Sequence, residues 1–382
     1  MKKVYILALH LAFGGIEKAI INTANLLSER YEVEIISVYN MPDSPAFPLS
    51  DKVSVRYLLS STPNREQWKQ ALRERNIAAF VRESFRAVEI LSDKRRALIK
   101  AIKSIKGGVI ISTRHEDNLL LSKYGRRSVR KIAQLHHDHG FDKKLMRDFR
   151  KGYGNIDVFM LLCRQLADEV REQMDGNDFT RVIEMPNFLE ALPENVEAGN
   201  REKMILAVGR LDRVKGFDRL IESFARVHEQ EPEWKLCILG EGSERERLEA
   251  LVEKRGLSES VELPGKVDSF AVEQHMRRAS VYAMSSHSEG FPFVLVEALS
   301  CKLPVVAYDV RVGPGAVLRQ NVDGFMVKDG DSRSYEEMLL RLMRDEQLRL
   351  TLAEQAAQRA EEFSRVKLAH RWYNLLEELY EA

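Results

Sequence analysis

The sequence predicts an α/β protein built from two Rossmann-like parallel-sheet domains. Three observations carry that expectation. Short, almost continuously apolar runs alternate with helix-period segments through most of the chain, the pattern of a parallel sheet covered by helices on both faces. The alternation restarts after a Pro-, Asn- and Glu-rich stretch at 191–203, which reads as a linker. The chain also has 382 residues, enough for two ordinary domains. Two such halves predict a cleft between them, where ligands of open α/β sheets bind. The expected boundaries are 1–188, 201–365 and a final helix at 366–382 crossing back to the first domain.

Residues 4–9 read as a strand and 16–28 as a helix with Ile20, Thr23, Ala24 and Leu27 facing inward. Strands follow at 33–38, 53–58, 109–112, 131–135 and 158–162, the last three each trailed by a polar turn and a plausible helix. In the second half the strands are 204–208, 234–239, 261–263, 281–284 and 305–307. Between them lie a helix at 218–229, with Leu220, Ile221, Phe224 and Val227 on one face, and a helix at 243–255 closed by Gly256. Helices at 334–344, 347–363 and 366–380 complete the chain, the last carrying Trp372 and Tyr373 back to the first domain.

Composition excludes several classes. An apolar fraction of 44% and a charged fraction of 31% are those of a soluble globular protein. Lys plus Arg number 59 against 58 Asp plus Glu, which argues against a nucleic-acid partner. The N-terminal run imitates a secretory leader, but His10 interrupts it and no small-residue cleavage site precedes the helix pattern. No run approaches the roughly 18 apolar residues of a membrane span, so any membrane contact is expected to be peripheral. Cys163, Cys237 and Cys301 sit far apart in apolar runs. They read as reduced core thiols in a cytoplasmic protein.

Residues 65–106 break the pattern, with 12 Lys/Arg against 5 Asp/Glu. Val81, Phe85, Val88, Leu91, Leu98, Ile102 and Ile105 supply an apolar stripe at helical spacing. One reading is a solvated helix packed on the first domain. The other is a basic surface for an anionic membrane, at the inner face of the cell membrane, or for an anionic acceptor.

Candidate chemistry concentrates in turns after strands. The segment Ser288-Glu289-Gly290-Phe291-Pro292-Phe293-Val294-Leu295-Val296-Glu297 follows a strand and opens a helix, so its amides suit a diphosphate. Glu289 would lie in the loop beside a sugar, and Glu297, about a turn into the helix, could accept hydrogen bonds from a ribose diol. Two solvated glutamates flanking a buried helix is the competing reading. Gly209-Arg210-Leu211 ends another strand, and Lys215-Gly216 precedes the next helix. An Arg and a Lys on one such turn can neutralise two phosphates.

Gly14-Gly15 after the first strand can expose amides at a helix start. His136, His137 and His139 follow the strand at 131–135 but cannot converge with Asp138 on one ion. His136 reads instead as a sugar-hydroxyl contact. Asp329-Gly330-Asp331 has the spacing of a metal-binding pair, yet reads as turn and cap chemistry, so no metal is expected.

The order of these motifs resembles the retaining glycosyltransferase family 4, of GT-B architecture. Gly240-Glu241-Gly242, Pro264-Gly265-Lys266-Val267, Asn321-Val322-Asp323-Gly324-Phe325 and Met185-Pro186-Asn187 add to the likeness. The resemblance implies that Arg210, Lys215 and the amides of Phe293 and Val294 bind a donor diphosphate. It implies ribose contact by Glu297, sugar contact by Glu289 and His136, and base contact by the backbone of Val267. Gly15 would close the phosphate site from the first domain. Phe293 departs from the small or amide residue many members carry there, and His137 is a competing neighbour of His136. The implied donor is a nucleotide sugar, above all a UDP-sugar, used without cofactor or metal. The implied acceptor is a glycan, a polyol-phosphate polymer or a lipid-linked glycan.

Overall fold

The computed structural model describes residues 2–41, 44–60 and 62–382. The chain forms two compact units. The first comprises residues 1–162, 166–185 and 369–382, and the second residues 163–165 and 186–368.

In the first unit the chain runs β1 (Lys3–Ala8), α1 (Gly15–Leu27), β2 (Glu32–Tyr39) and β3 (Val53–Leu59). It continues through α2 (Arg65–Arg73), α3 (Ile77–Ser104), β4 (Val109–Ser112) and α4 (His115–Tyr124). Then come β5 (Arg130–Leu135), α5 (Lys143–Gly152), β6 (Val158–Leu161), α6 (Arg164–Gln173) and β7 (Arg181–Glu184). The strands form one parallel sheet ordered β3-β2-β1-β4-β5-β6-β7. β4 and β6 are buried along their whole length, as strands covered on both faces must be.

The second unit runs β8 (Met204–Val208), a 3-10 turn (Arg213–Lys215), α7 (Phe217–His228), β9 (Lys235–Leu239), α8 (Arg245–Lys254) and β10 (Val261–Gly265). It goes on through α9 (Ser269–Arg278), β11 (Val281–Met284), α10 (Phe293–Ser300), β12 (Val305–Asp309), α11 (Pro314–Val317) and β13 (Gly324–Lys328). It closes with α12 (Ser332–Arg344), α13 (Glu346–Glu361) and α14 (Arg365–Glu381), whose last residues belong to the first unit. The parallel sheet is ordered β10-β9-β8-β11-β12-β13.

Chain order reverses between β1 and β4 in one sheet and between β8 and β11 in the other. Each reversal opens a crevice at the carboxyl ends of adjacent strands. The two parallel-sheet Rossmann-like domains are therefore present as expected.

α7 buries Leu220, Ile221, Phe224 and Val227, its expected inner face, against β8 and β9 side chains including Ile205, Leu236 and Ile238. A fully buried side chain of this size contributes about 1.5–3 kcal/mol. Cys163, Cys237 and Cys301 are buried free thiols, and burial pushes Cys237 and Cys301 up to about 12.

The stretch at 191–203 is no loose tether. Arg277 Nη2 donates to the Glu194 carbonyl at 3.0 Å, and Arg201 reaches the carbonyls of Glu197 and Cys301, all within the second unit. α14 returns to the first unit, where the Tyr373 hydroxyl donates to the Leu26 carbonyl at 3.0 Å and Tyr31 stacks on Tyr380.

The stripe expected over 65–106 does not form one face. Leu98, Ile102 and Ile105 are buried, whereas Val81, Phe85, Val88 and Leu91 are exposed.

Candidate functional site

In the second unit, the loops after β8 and β11 emerge at the reversal of strand order, side by side. The first carries Arg210 and Lys215; the second carries Glu289. Lys215 Nζ donates to Glu289 Oε1 at 2.6 Å, and both side chains are largely covered, at 23% and 10% exposure. Arg210 points differently. Its guanidinium pairs with Asp212 at 2.8 Å and is 81% exposed, so it faces solvent beside the loop.

Backbone contacts hold the two loops together. The His287 amide donates to the Val214 carbonyl at 2.7 Å, and Ser285 Oγ donates to the Lys215 carbonyl at 3.0 Å. Gly216 has φ 60°, and a Cβ there would lie 2.2 Å from the Ser285 carbonyl oxygen. Glycine is required for both reasons. Asp212 caps the 3-10 turn at the Lys215 amide.

Arg219 is a residue that motif reading passed over. Its Nε donates to the Ser285 carbonyl at 2.6 Å, its Nη2 to the Ser286 carbonyl, and its Nη1 to Asp329 Oδ1 at 2.6 Å. The guanidinium also lies 3.9 Å from the Tyr308 ring centroid. The sequence signal was limited to its place one turn after Lys215. Asp329 is thus an ion-pair partner as well as a turn residue. Asp331 caps α12 through the Ser334 amide at 3.1 Å, as the sequence reading expects of it.

Beyond Glu289, Gly290 and Phe291 lead into α10. Phe291 and Phe293 are buried in an aromatic contact with each other at 6.2 Å, and Phe291 meets Phe363 at 5.5 Å. Phe293 and Val294 begin the helix, the positions whose amides lack an intrahelical acceptor. Glu297 is half-buried on the same helix. Gly313, with φ 109°, backs Glu289, because a Cβ there would lie 2.5 Å from the Glu289 Cβ. Val267 follows β10, half-buried, at the far end of the same carboxyl edge. β10 and β11 are three strand steps apart, about 14 Å.

Gly14, Gly15 and His136 belong to the first unit. Gly15 starts α1, and Gly14 is extended backbone at its N-cap. A Cβ on Gly14 would lie 2.1 Å from Glu17 Oε2, so the missing side chain already has a use within this unit. Glu17, which sequence reading also passed over, is buried and accepts from Arg114 Nη2 at 3.2 Å. His10 Nδ1 lies 3.6 Å from the same carboxylate, and burial lowers its pKa in spite of Glu17.

His136 sits just past β5 with Nε2 3.0 Å from Gln134 Oε1. Desolvation first, then the charges of His137 and Arg114, pushes its pKa down to about 3, so its ring is neutral at ordinary pH. His137 is exposed and His139 is buried against Glu169 at 3.0 Å, so the three histidines go separate ways.

Comparison with known proteins gives a consistent set of likenesses. Residues 190–359 match the model of the family Glycosyl transferases group 1. An exopolysaccharide phosphotransferase of Streptomyces coelicolor is 28% identical over 99% of this chain. The chain spans 41% of that relative's length. The amylovoran biosynthesis glycosyltransferase AmsD of Erwinia amylovora is 28% identical over 95% of this chain and 96% of its own. TarM of S. aureus, solved in complex with fondaparinux, α-GlcNAc-glycerol and UDP, is similar in structure with a TM-score of 0.78. The match covers 98% of this chain and 100% of TarM at 15% identity, a likeness of fold.

Proposed function

Because residues 190–359 match the glycosyltransferase group 1 model, we propose that the chain is a retaining glycosyltransferase using a nucleoside-diphosphate sugar, above all a UDP-sugar. The observation that carries this reading is the Lys215–Glu289 pair at the β8/β11 reversal, next to the start of α10. A cation, a carboxylate and a helix N-terminus within one short stretch of sheet edge suit a diphosphate joined to a hydroxylated ring.

In this reading Lys215 and Arg210 hold the diphosphate, and the amides of Phe293 and Val294 assist. Negative charge grows on the leaving diphosphate as the glycosidic bond breaks. Preorganised cations and the α10 dipole stabilise it there, which is why the reading includes neither metal nor cofactor. Glu289 releases Lys215 to the phosphate and turns to the sugar hydroxyls. Glu297 takes the ribose diol. The backbone of Val267 meets the base about 14 Å along the edge, a span suited to a nucleotide. Gly14, Gly15 and neutral His136 keep the donor-binding roles that the family resemblance implies. The acceptor hydroxyl attacks on the face the diphosphate leaves, giving up its proton to a donor phosphate oxygen, so configuration at the anomeric carbon is retained.

The acceptor is a hydroxyl of a cell-surface polysaccharide, a polyol-phosphate polymer or a lipid-linked glycan. The names of the Streptomyces and Erwinia relatives, and the α-GlcNAc-glycerol and UDP bound by TarM, support that range. The test is a screen of nucleotide sugars for enzyme-dependent release of nucleoside diphosphate, with and without acceptor. Release from one donor is expected. Conversion of a donor to its epimer without release would replace the transferase with an isomerase on the same site. Failure of every nucleoside diphosphate to raise the melting temperature would leave a non-catalytic partner protein.

A further inference from the structure

α3 has two apolar faces. Ile90, Leu98, Ala101 and Ile102 are buried and pack the helix on its unit. Ile77, Val81, Phe85 and Val88 are 78%, 45%, 73% and 67% exposed. Their i, i+4, i+8, i+11 spacing puts them on one line along the helix, about 16 Å long. Leu91 lies beside that line, at 62% exposure. Single exposed apolar side chains are ordinary, but a continuous row of this length marks a contact surface.

The same line continues in a different chemistry. Eighteen residues are five helical turns, so Arg95 falls below Ile77 and Lys103 below Phe85. Arg95, Arg96, Lys100 and Lys103 are all exposed, as are Arg82 and Arg86 on the flank of the apolar row. Acids of the same helix neutralise part of this charge: Arg82 and Arg86 lie against the buried Glu83, Arg96 pairs with Asp93, and Glu89 is exposed. The cationic excess rests on Arg95, Lys100 and Lys103.

We propose that this face of α3 docks the protein on an anionic lipid surface, the apolar row entering the interface and the cationic half meeting the headgroups. Charge chooses this occupant. A second copy would set one cationic face against another, whereas an anionic bilayer offers both an apolar layer and negative charge. No helix among the described residues is long and apolar enough to cross a membrane, so this contact is interfacial. The inference is independent of the transferase reading, because vesicle binding needs neither donor nor acceptor.

The experiment is co-sedimentation of the full chain with vesicles of phosphatidylcholine alone or mixed with phosphatidylglycerol. The protein is expected to pellet with the anionic vesicles and to stay in solution with the neutral ones. The Phe85→Ser/Val88→Ser pair and the Arg95→Glu/Lys100→Glu pair should each reduce binding about tenfold or more, with circular dichroism unchanged. All four side chains are exposed, so the fold does not depend on them. Absence of pelleting with anionic vesicles, equal pelleting with neutral ones, or wild-type binding by both variants would overturn the proposal. So would a wild-type dimer in light scattering that Phe85→Ser/Val88→Ser converts to monomer, since the face would then be covered by a second copy.

Discussion

Lys215 Nζ and Glu289 Oε1 meet at 2.6 Å although 74 residues separate them in sequence. The pair is largely covered, so each charge depends on the other. If Lys215 holds the diphosphate, Lys215→Ala lowers kcat by about 100- to 1000-fold, the usual cost of losing one preorganised charge stabiliser. Glu289→Gln should lower kcat while nucleoside diphosphate still binds, because the sugar contact is lost and the cation stays. Steady-state turnover together with nucleotide calorimetry separates the two. Wild-type turnover by Lys215→Ala would remove the diphosphate assignment.

Glu297→Ala is expected to act on binding. Losing a charge-assisted contact to the ribose should raise the nucleoside diphosphate Kd about tenfold or more, with a smaller effect on kcat. Calorimetry with UDP gives the number. An unchanged Kd would send the ribose elsewhere.

Arg219 should behave as a positioning residue. Its guanidinium joins the Ser285 and Ser286 carbonyls to Asp329 and so fixes the loop that carries Glu289. Arg219→Ala is expected to cost about 2–4 kcal/mol of stability, since partly buried acceptors lose a charged donor. Arg219→Lys should recover part of that stability but little kcat, because a point charge cannot span two carbonyls. KM for donor should move less than kcat. Full recovery of kcat by lysine would show that only the charge matters. Gly216→Ala tests the same junction from the other side. With φ 60° and the Ser285 carbonyl 2.2 Å from the new methyl, a loss of about 2 kcal/mol or more in urea denaturation is expected.

His136 supplies a pH dependence of known sign. Its pKa falls from 6.5 to about 3 on folding, so between those values the unfolded chain binds a proton that the native state refuses. Stability from this residue is therefore complete above about pH 6.5 and is lost as pH falls below it. The stability of wild type minus His136→Asn should be level above neutrality and should fall steadily in acid. A level difference through that range would mean the ring titrates normally in the folded protein.

The parallel-sheet class, most strands and the motif-bearing turns were legible because each has a local cause. Parallel strands buried on both faces must be apolar throughout, and turns that face ligands need glycine and charge. β7 escaped notice because an edge strand of four residues, RVIE, has no such run. Arg219 escaped because its acceptors are main-chain carbonyls, which any sequence supplies. Glu17 and Arg114 escaped because they are 97 residues apart and carry no motif.

What the amino-acid sequence determined by itself is the class of fold, the place of the candidate chemistry after strands, and the existence of amphipathic faces. These follow from periodicity and residue type, which are local. Tertiary structure alone decided partners. It gave Lys215 to Glu289 and Arg210 to Asp212, folded Glu17 back on Gly14, and covered one apolar face of α3 while leaving the other bare. Periodicity states that a helix has sides; only the packing of distant segments, governed by shape and available volume, states which side is filled.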